Sequence, residues 1–489
     1  MSRRIRRIVK TKKCQDILDW EDNLDTNFEV LPQKIPKIIH QIWIGPKEKP
    51  DKLMKTWEEK NPDFEYKFWN EDNLHEIGLE CSDRINQIEE INGKCDIIRW
   101  EILYKYGGVF VDADSFCLEN LNQTIMKREA FFGYENTKHK PGLLSTGTMG
   151  FIKNHPMIRN IIDHIKENEV SMRSTKKFAW ETVGPVLLTK FYNLYHDKQS
   201  ITLLPSYFFL PIYKLDKEYY QGHGKTYAHQ EWGSSFNVYR GMNDKKIPES
   251  LLEPEEYHGV LVSSYNTKKE YIIECLRSIR DQEGYFGIEL IWINDGSTLE
   301  NSKELKLILN NFIKTTRFIK LKYLEWEENK GIAHSLNRGL ELSDSEIIIK
   351  MDSDDTMIKD RIKIQTDYMK KNTDLVWLGG QCKLPEGQTN FKNMSLQEYK
   401  KSPKYWFCNH PASCYRKKEI LKIGGYNEEY KCQFEDFELE LRVLKNYGRL
   451  DNLPDILVNY RSHPDQVTKK KVENKIQKLN SIIQEIIFS

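Results

Sequence analysis

The chain has 489 residues and a formal net charge of +1. This length favours two to four domains, and the balance of charges argues against a generally basic nucleic-acid binder. The hydrophobic share of 39% and the aromatic share of 12% argue against disorder. No apolar run reaches the roughly 18 residues of a spanning helix. Residues 1–13 lack the apolar stretch of a secretory signal.

Nine cysteines, an odd number with no CxxC pair, are typical of reduced and mostly buried thiols. Together with the lack of an export signal, they predict a cytoplasmic protein. Residues 1–35 form a basic and then acidic N-terminal arm. Two interpretations of this arm stay open. It is a solvated segment folded against its own acidic neighbour, or it makes peripheral contact with an anionic membrane face.

The first ordered pattern, Ile35–Gly45, is an apolar strand that ends at Gly45-Pro46. Alternation in Phe64–Trp69 predicts a second strand, and helical spacing over Asp96–Tyr106 predicts a helix. A third strand, Gly107–Val111, follows this helix directly. Strands that alternate with helices indicate an α/β layer architecture. We therefore expect a first domain over residues 36–245.

A second α/β pattern starts after a polar, proline-containing linker over residues 246–257. Strands are predicted at Gly259–Ser264, Glu289–Asn294 and Ile347–Asp352, with helices between them. They predict a second domain over residues 258–467. The tail, residues 468–489, has apolar residues at helical spacing. This amphipathic C-terminal helix packs on the second domain, forms a homodimer contact or lies on a membrane surface.

Each half has a strand that delivers an Asp-x-Asp motif at its C-terminal end: Asp112-Ala-Asp114 and Asp352-Ser-Asp354-Asp355. Ligands bind at this edge of open α/β sheets. The two carboxylates converge only if the chain turns after the strand, and they then repel each other. A divalent ion removes this conflict, and oxygen ligands favour Mg²⁺ or Mn²⁺. The sequence therefore predicts one such ion per domain, with open positions for phosphate oxygens.

The N-terminal motif resembles a known family signature. Asp96-Ile-Ile-Arg-Trp-Glu-Ile-Leu-Tyr-Lys-Tyr-Gly-Gly-Val-Phe-Val-Asp-Ala-Asp114 is similar to the signature of DXD-containing sugar transferases of glycosyltransferase family 32. That family includes capsular-sugar transferases and α-mannosyltransferases. Ile39–Gly45, Thr182–Pro185 and His229–Ser234 match in the same order. The resemblance covers residues 36–240 and implies retention of anomeric configuration, with no dedicated general base.

The resemblance also implies roles for individual residues. Those at the donor site would be Trp43 on the nucleotide base, Asp96 and Arg99 on the donor sugar, Asp112 and Asp114 on the metal–diphosphate unit, and Ser234 as a cap over the site. One position departs from the family, which usually has Trp where this chain has Ser235. If only one domain is active, this departure predicts that the first domain is the inactive one.

The C-terminal half resembles glycosyltransferase family 2 over residues 258–465. The matching motifs are Ser263-Ser-Tyr-Asn266, Asn294-Asp-Gly-Ser-Thr298, Asn329-Lys-Gly331, Asn337-Arg-Gly339, Met351-Asp-Ser-Asp-Asp355, Gly424-Gly-Tyr-Asn-Glu428 and Glu435-Asp436. The resemblance implies that Ser264, Asn266, Asp295, Lys330 and Asp352 bind the donor nucleotide, and that Asp352, Asp354 and His463 are metal ligands.

The Glu435-Asp436 pair has two interpretations. The resemblance implies that Asp436 is a general base for the acceptor hydroxyl, with Glu435 beside it. An acidic helix N-terminus is the alternative, because such residues stabilise a helix start. The upstream motifs in the same order favour the catalytic role. His410 lies where the family places acceptor-side residues.

The sequence therefore predicts α/β architecture with two tandem GT-A-type nucleotide-diphospho-sugar transferase domains. The expected function is a bifunctional, metal-dependent glycosyltransferase, with a retaining first domain and an inverting second domain. UDP- or GDP-sugars would be its donors and a glycan or glycoconjugate its acceptor, in polysaccharide or glycoconjugate synthesis.

Three alternatives stay open. The first is one active family 2 transferase with a degenerate N-terminal domain that binds glycan or has a structural role. The second is a metal-dependent nucleotidyl or phosphoryl transferase, which would predict a Gly-rich phosphate loop that the sequence lacks. The third is a pure interaction protein, against which the two acid sets argue.

Overall fold

The computed structural model describes residues 32–121, 123–136, 139–213, 219–233, 239–430, 433–464, 466 and 474–489. Two compact units make up the chain. Unit 1 comprises the residues up to Tyr220 together with Lys225–Leu251, and unit 2 comprises Gln221–Gly224 with Leu252–Ser489. Nearly all of the predicted N-terminal arm lies outside the described residues.

The unit boundaries differ from the predicted domain boundaries at two places. Gln221–Gly224 belongs to unit 2, where the buried His223 ring lies 3.0 Å from the carbonyl oxygen of Gln282 and 2.8 Å from that of Phe286. The predicted linker, residues 246–257, contains a helical turn at Glu249–Leu251, and its last residue already begins a strand.

Unit 1 alternates strands with helices over its whole length. Its described strands are β1 (Ile38–Ile42), β2 (Glu65–Trp69), β3 (Gly108–Val111), β4 (Ser115–Cys117), β5 (Ala130–Asn136), β6 (Lys140–Phe151), β7 (Ile201–Leu204) and β8 (Ala228–Gln230). Its described α-helices are α1 (Asp51–Lys60), α2 (Ser82–Gln87), α3 (Ile91–Tyr106), α4 (Gln123–Met126), α5 (Pro156–Glu167), α6 (Met172–Thr175), α7 (Ala179–Thr182) and α8 (Pro185–Leu194).

The main sheet of unit 1 has six strands in the order β2-β1-β3-β6-β5-β7. Strand β1 pairs in parallel with both β2 and β3, whereas β6 runs antiparallel to β3 and β5. All four residues of β3 are buried, and a second, two-stranded sheet joins β4 to β8. Because β4 begins at Ser115, this small sheet brings Gln230 beside the turn that carries Asp112 and Asp114.

Unit 2 begins a new sheet. Its described strands are β9 (Tyr257–Ser264), β10 (Gly287–Asn294), β11 (Ile319–Glu325), β12 (Ile347–Asp352), β13 (Thr356–Met357), β14 (Trp377–Leu384), β15 (Gly387–Gln388), β16 (Met394–Ser395), β17 (Cys414–Arg416) and β18 (Arg449–Asn459). Its described α-helices are α9 (Lys269–Arg280), α10 (Leu299–Lys314), α11 (Ile332–Leu342), α12 (Arg361–Lys371), α13 (Leu396–Lys401), α14 (Lys417–Lys422), α15 (Glu435–Tyr447) and α16 (Lys475–Ile483).

The sheet of unit 2 has the order β11-β10-β9-β12-β17-β14-β18-β13, with β15 and β16 attached to β14 and β18. Strands β11, β10, β9 and β12 are parallel, and β17 runs antiparallel to β12. In the register, Ser264 pairs with Asn294, and Ser263 pairs with Asp352. The carboxyl ends of the three central strands therefore meet at one edge. The predicted α/β class is confirmed, with a mixed sheet in each unit.

The C-terminal helix packs on unit 2 itself. Leu479, Ile482 and Ile483 of α16 are buried in an apolar cluster that also contains Phe437 and Leu441 of α15. Ile476, on the same helix, is 63% exposed. The structure thus shows one of the predicted roles of this helix, packing against the core of unit 2. This holds for the described residues 474–489.

The described part of the chain contains no helix that is long and apolar enough to cross a membrane. The seven cysteines among the described residues are free thiols. Burial raises the pKa of several of them, including Cys81, Cys95 and Cys117, to about 12. Unreactive thiols of this kind fit the predicted structural role of the cysteines.

Glu289 of β10 fixes the connection that leads into β12. Its carboxylate accepts hydrogen bonds from the hydroxyl groups of Ser343 and Ser345 and from the N–H of Asp344, and it pairs with Lys322. Burial acts to raise the pKa of Glu289, but these donors outweigh it and lower the pKa to about 2. The ionised carboxylate therefore stabilises unit 2.

We expect Glu289→Gln to lower the stability of unit 2 by about 1–3 kcal/mol near neutral pH. Because the folded-state pKa lies below the ordinary value, this contribution is present above about pH 5 and fades as the pH falls toward 2. Thermal unfolding at several pH values checks this. Glu386→Gln, at an exposed turn residue, is the control. A difference in Tm that does not shrink at low pH would contradict the assignment.

Candidate functional site

In unit 1, the two aspartates after β3 converge on one side-chain amide. The chain turns at Ala113 and Asp114, and the Gln230 Nε2 donates to Asp112 Oδ2 at 2.9 Å and to Asp114 Oδ1 at 3.2 Å. The N–H of Gly233 donates to Asp114 Oδ2 at 2.7 Å. Burial raises the pKa of Asp114, and the neighbouring charge of Asp112 raises it further.

Arg99 provides the positive charge of this site. It lies one helical turn after Asp96 on α3, so both side chains share one face of the helix. Its Nη2 is 3.0 Å from Asp112 Oδ1 and 3.2 Å from Asp96 Oδ1, and its guanidinium lies 4.4 Å from the ring centroid of Phe110. Burial raises the pKa of Asp96 to about 6 in spite of the Arg99 charge.

Two glycines leave room for these carboxylates. A Cβ atom at Gly147 would lie 2.9 Å from Asp112 Oδ2 and 2.8 Å from Gln230 Oε1. One at Gly184 would lie 2.6 Å from Asp96 Oδ2. Gly184 belongs to the Thr182–Pro185 motif, whereas Gly147 and Gln230 were not predicted. Gln230 stands inside the matching His229–Ser234 motif, and that position was the available signal.

The remaining residues predicted for this donor site are Trp43 and Ser234. The half-buried Trp43 donates from its Nε1 to the carbonyl of Lys47 at 3.0 Å, and its ring meets Tyr239 edge-on at 5.2 Å. Stacking of Trp43 on a nucleotide base stays a prediction. Ser234 and Ser235 lie outside the described residues.

We expect Gln230→Leu to lower the stability of unit 1 by about 1–3 kcal/mol, because the buried Asp114 and the half-buried Asp112 lose a hydrogen-bond donor. Mn²⁺ should recover part of this loss by neutralising Asp112 and Asp114. Thermal unfolding with and without Mn²⁺ measures both effects, and Gln199→Leu, at an exposed position, is the control. A Tm equal to that of the wild type would show that the amide does not hold the pair.

In unit 2, the register of the central strands places Ser264, Asp295 and Asp352 along one sheet edge. The buried Asp295 carboxylate accepts from the backbone N–H groups of Lys330 at 2.9 Å and Gly331 at 3.0 Å, and from the side chain of Asn329 at 3.1 Å. Burial raises the pKa of Asp295, while these donors oppose the rise. Asp295 thus holds the turn that begins α11.

Ser264 and Asn266 form hydrogen bonds that fix the backbone at this edge of the sheet. The Ser264 hydroxyl accepts from Trp292 Nε1 at 2.9 Å. Asn266, with φ at +51°, accepts at Oδ1 from the N–H of Thr298 and from Asn301, at 2.9 and 3.0 Å. Both residues fix the loops around the edge, and their direct contact with a nucleotide stays a prediction.

Asp352, Asp354 and Asp355 form the metal-ligand cluster of unit 2. One carboxylate oxygen of each lies within 4.8 Å of the others. His463 Nε2 lies 2.7 Å from Asp354 Oδ2, so the structure brings the three predicted ligands Asp352, Asp354 and His463 together. Asp355 joins them, although it was not predicted as a ligand. Asp355 Oδ2 is buried without a hydrogen-bond partner among the described residues. These ligand atoms suit Mg²⁺ or Mn²⁺.

Arg461 ties the segment that carries His463 to this cluster. Its backbone N–H donates to Asp355 Oδ1 and its Nε donates to the carbonyl of Asp354, each at 2.7 Å. Its guanidinium pairs with Glu274 and lies 4.3 Å from the ring centroid of Tyr271. Arg461 was not predicted as a site residue, although it lies two residues before His463.

Lys350 is a buried cation beside the metal-ligand cluster of unit 2. It lies in β12, where it is 1% exposed, and its ammonium hydrogen-bonds Asp352. Burial lowers its pKa to about 8, while the charges of two acid groups oppose this: Asp354 with Asp355, and Glu435 with Asp436. Lys350 therefore interacts electrostatically with both the metal cluster and the acid pair. In the sequence, Lys350 is a single charged residue directly after three isoleucines, and this position could have indicated a buried cation.

The acid pair begins α15. Glu435 and Asp436 follow Phe434, which has φ at +71°, and Asp436 Oδ1 accepts the N–H of Phe437 at 2.7 Å. Burial raises the pKa of Glu435, with a further rise from the charge of Asp436, and burial also raises the pKa of Asp436. A carboxyl pair poised closer to neutral pH suits proton transfer.

His410, the predicted acceptor-side residue, is buried in a ring network. Its Nε2 lies 2.8 Å from the Tyr426 hydroxyl, and its ring stacks on Trp377 at 6.2 Å. Burial lowers its pKa well below the usual range. The structure thus gives His410 a place in the packing between Trp377 and Tyr426, and its acceptor-side role stays a prediction.

We expect Lys350→Met to lower the Tm of the metal-free protein, because the buried carboxylates lose their shared cation. The rise in Tm on adding Mn²⁺ should then be larger than in the wild type, since the ion meets a more negative cluster. Thermal unfolding with an Mn²⁺ titration is the measurement. Lys363→Met, on the exposed side of α12, is the control. An unchanged or smaller Mn²⁺ response would contradict this role for Lys350.

The two sites share one plan: an α/β sheet edge that gathers carboxylates suited to a divalent ion. This plan is that of sugar transferases that use nucleotide-diphospho-sugars. Residues 259–420 match the family model described as glycosyl transferase family 2. Residues 47–131 match the model described as glycosyltransferase sugar-binding region containing DXD motif. The chain belongs to the glycosyltransferases, with a family 2 region in unit 2, as its motifs predicted.

Three curated proteins illustrate the similarity. The O-antigen biosynthesis glycosyltransferase WbnJ of Escherichia coli is 32% identical over 208 residues, which are 41% of this chain and 78% of that protein. The amylovoran biosynthesis glycosyltransferase AmsE of Erwinia amylovora is 28% identical, over 45% of this chain and 81% of its own. Inositol phosphoceramide mannosyltransferase 3 of Schizosaccharomyces pombe is 28% identical, over 32% of this chain and 44% of its own.

Proposed function

We propose that the chain is a bifunctional glycosyltransferase in which each unit transfers a sugar from its own nucleotide-diphospho-sugar to a glycan acceptor. The observation that carries this proposal is the duplicated site. Each unit has an Asp-x-Asp at a strand end and its own buried cation, Arg99 or Lys350. A single active unit would not require the second set. Two named relatives act in polysaccharide or O-antigen synthesis, which favours glycan building as the role.

In unit 2, we propose that the reaction inverts the anomeric configuration. Asp352, Asp354, Asp355 and His463 would hold a divalent ion, which neutralises charge on the departing diphosphate when bound. Asp436 would accept the proton of the acceptor hydroxyl as its oxygen bonds to the anomeric carbon. The bond from that carbon to the diphosphate breaks, and its electrons leave with the diphosphate.

Lys350 and Glu435 support this step in different ways. Lys350 lies within reach of both acid groups, so it stabilises the ionised metal ligands and the base together. Glu435, beside Asp436, tends to keep its proton because burial and the charge of Asp436 raise its pKa. One proton shared by the pair leaves a carboxylate free to act as the base.

In unit 1, we propose a retaining transfer. Asp112 and Asp114 would hold the metal–diphosphate unit, and Asp96 with Arg99 would hold the donor sugar. The Asp96–Arg99–Asp112 ion network is buried and is held at 3.0–3.2 Å. A fixed cation beside the leaving group stabilises the charge that develops there without reorganisation.

A second candidate is a chain with one active unit. In the part of the chain that the structure describes, the three-carboxylate cluster occurs in unit 2, whereas the Asp112 and Asp114 oxygens share the Gln230 amide. Unit 1 would then bind a glycan and hold it for unit 2. Tethering raises the effective concentration of a bound acceptor, so such a module would still serve synthesis.

The test is release of nucleoside diphosphate from a panel of UDP- and GDP-sugars with Mn²⁺ and a mixture of glycan acceptors. The variants are Asp112→Asn/Asp114→Asn and Asp352→Asn/Asp354→Asn, which preserve side-chain size. Asp83→Asn and Asp374→Asn are exposed controls, one in each unit. We expect each double variant to lower release from a different donor by at least about a hundredfold, because each removes the charge that binds the metal.

The outcome separates the two candidates. Loss of different donors in the two double variants supports two working transferases. Loss of all turnover in the unit 2 variant, with no effect of the unit 1 variant, favours the single-site candidate. If neither double variant changes release from any donor, both candidates fail.

A further inference from the structure

An exposed aromatic ring lies beside the acid pair of unit 2. Trp406 precedes the buried Phe407 and is 39% exposed. Its ring centroid lies 6.1 Å from that of Phe437, the residue whose N–H binds Asp436. Large exposed aromatic rings next to polar groups are typical of binding surfaces. The exposed Trp406 ring therefore packs on the residue that follows Asp436 in α15.

Lys475 adds a positive charge at the same place. It is the first residue of α16, and its ammonium lies 4.5 Å from the centroid of the Trp406 ring. No carboxylate of the described residues lies within 4 Å of this ammonium. Burial raises the pKa of Asp436, and the charge of Lys475 is among the effects that oppose this rise. Lys475 is thus an exposed cation beside the Trp406 ring, with no carboxylate partner among the residues that the structure describes.

The helix that carries Lys475 is fixed in position. Leu479 and Ile482 of α16 are buried in the core of unit 2, and the Tyr405 hydroxyl lies 3.2 Å from Asn480 Oδ1. The Tyr405–Trp406 segment and α16 are therefore held together by a hydrogen bond as well as by the ring contact. A site built from Trp406 and Lys475 is preorganised, which lowers the entropic cost of binding.

We propose that Trp406 and Lys475 form an acceptor subsite for a sugar that carries a phosphate group. The indole would lie against the apolar face of the sugar ring, and the ammonium would bind the phosphate. This inference rests on the proposed transferase activity of unit 2. The acids around Asp436 repel an anionic acceptor, so such an acceptor needs a cation at the edge of the site. Lys475 provides it, as a point charge of the kind that binds phosphate.

The test measures binding of acceptor probes to the full chain by calorimetry, with UDP and Mn²⁺ present. The probes are the 1-phosphates of glucose, galactose, mannose and N-acetylglucosamine, each beside its methyl glycoside. We expect at least one 1-phosphate to bind about tenfold or more tighter than its methyl glycoside, as a charge-assisted hydrogen bond predicts.

Two variants locate this preference. Lys475→Gln should remove most of it, with a loss of about tenfold or more for the 1-phosphate and little change for the methyl glycoside. Trp406→Ala should weaken both probes together. Lys478→Gln, at an exposed position three residues further along α16, is the matched control and should keep the preference. A preference that survives Lys475→Gln, or the lack of any preference in the wild type, would overturn the subsite.

Two further arms complete the design. Binding of a decyl diphosphate of the preferred sugar distinguishes a lipid-linked acceptor from a soluble glycosyl phosphate. Further tightening indicates a lipid-linked acceptor, and equal affinity indicates a soluble glycosyl phosphate. The rise in Tm caused by UDP and Mn²⁺ is measured in every variant. If the wild type shows no such rise and releases no nucleoside diphosphate, the proposed function fails. If the rise is present and the phosphate preference is absent, the subsite alone fails.

Discussion

Each unit keeps several carboxylates close together at the end of a strand, largely out of water, and the surrounding residues are arranged to make this possible. Charges of like sign in such a place repel strongly, because the medium around them screens poorly. In unit 1, Arg99 lies between Asp96 and Asp112. In unit 2, the 1%-exposed Lys350 hydrogen-bonds Asp352 and lies near the acid pair.

Arg99 and Lys350 offset only part of the repulsion between the carboxylates, and this has a chemical consequence. Burial raises the pKa values of Asp114, Asp355 and Glu435 even with the cations in place. One buried oxygen of Asp355 has no hydrogen-bond partner among the described residues. A divalent ion is the group that relieves such a cluster, and the ion then attracts a diphosphate. We propose that this crowded negative charge gives each unit its affinity for a metal–nucleotide donor.

Much of this could be predicted from the sequence. The strand that ends at Asp352 was predicted with its observed bounds, because an apolar run before an acidic motif is a strong local pattern. The α/β class and the two family resemblances are also confirmed. These features depend on residues that are close together in the chain.

The unpredicted features depend on contacts between distant segments. Gln230 reaches Asp112 from 118 positions away, and His463 reaches Asp354 from 109 positions away. The family resemblance indicated His463 as a ligand, and the position of Gln230 inside the His229–Ser234 motif was the one signal for the first contact. The Asp295 carboxylate also accepts from the Lys330 and Gly331 N–H groups, a contact the sequence did not predict, because a helix start offers donors that a nearby carboxylate satisfies. Its contact with a nucleotide stays a prediction.

The most direct test of this account is to locate Mn²⁺ by anomalous X-ray diffraction of crystals grown with Mn²⁺ and UDP. The account predicts one peak among Asp352, Asp354, Asp355 and His463, and a second peak beside Asp112 and Asp114. A peak in unit 2 alone would leave one transferase and a second unit that binds without metal. The lack of a peak at the unit 2 cluster, with UDP visible in the same crystal, would contradict the claim that the crowded carboxylates are a metal–diphosphate site.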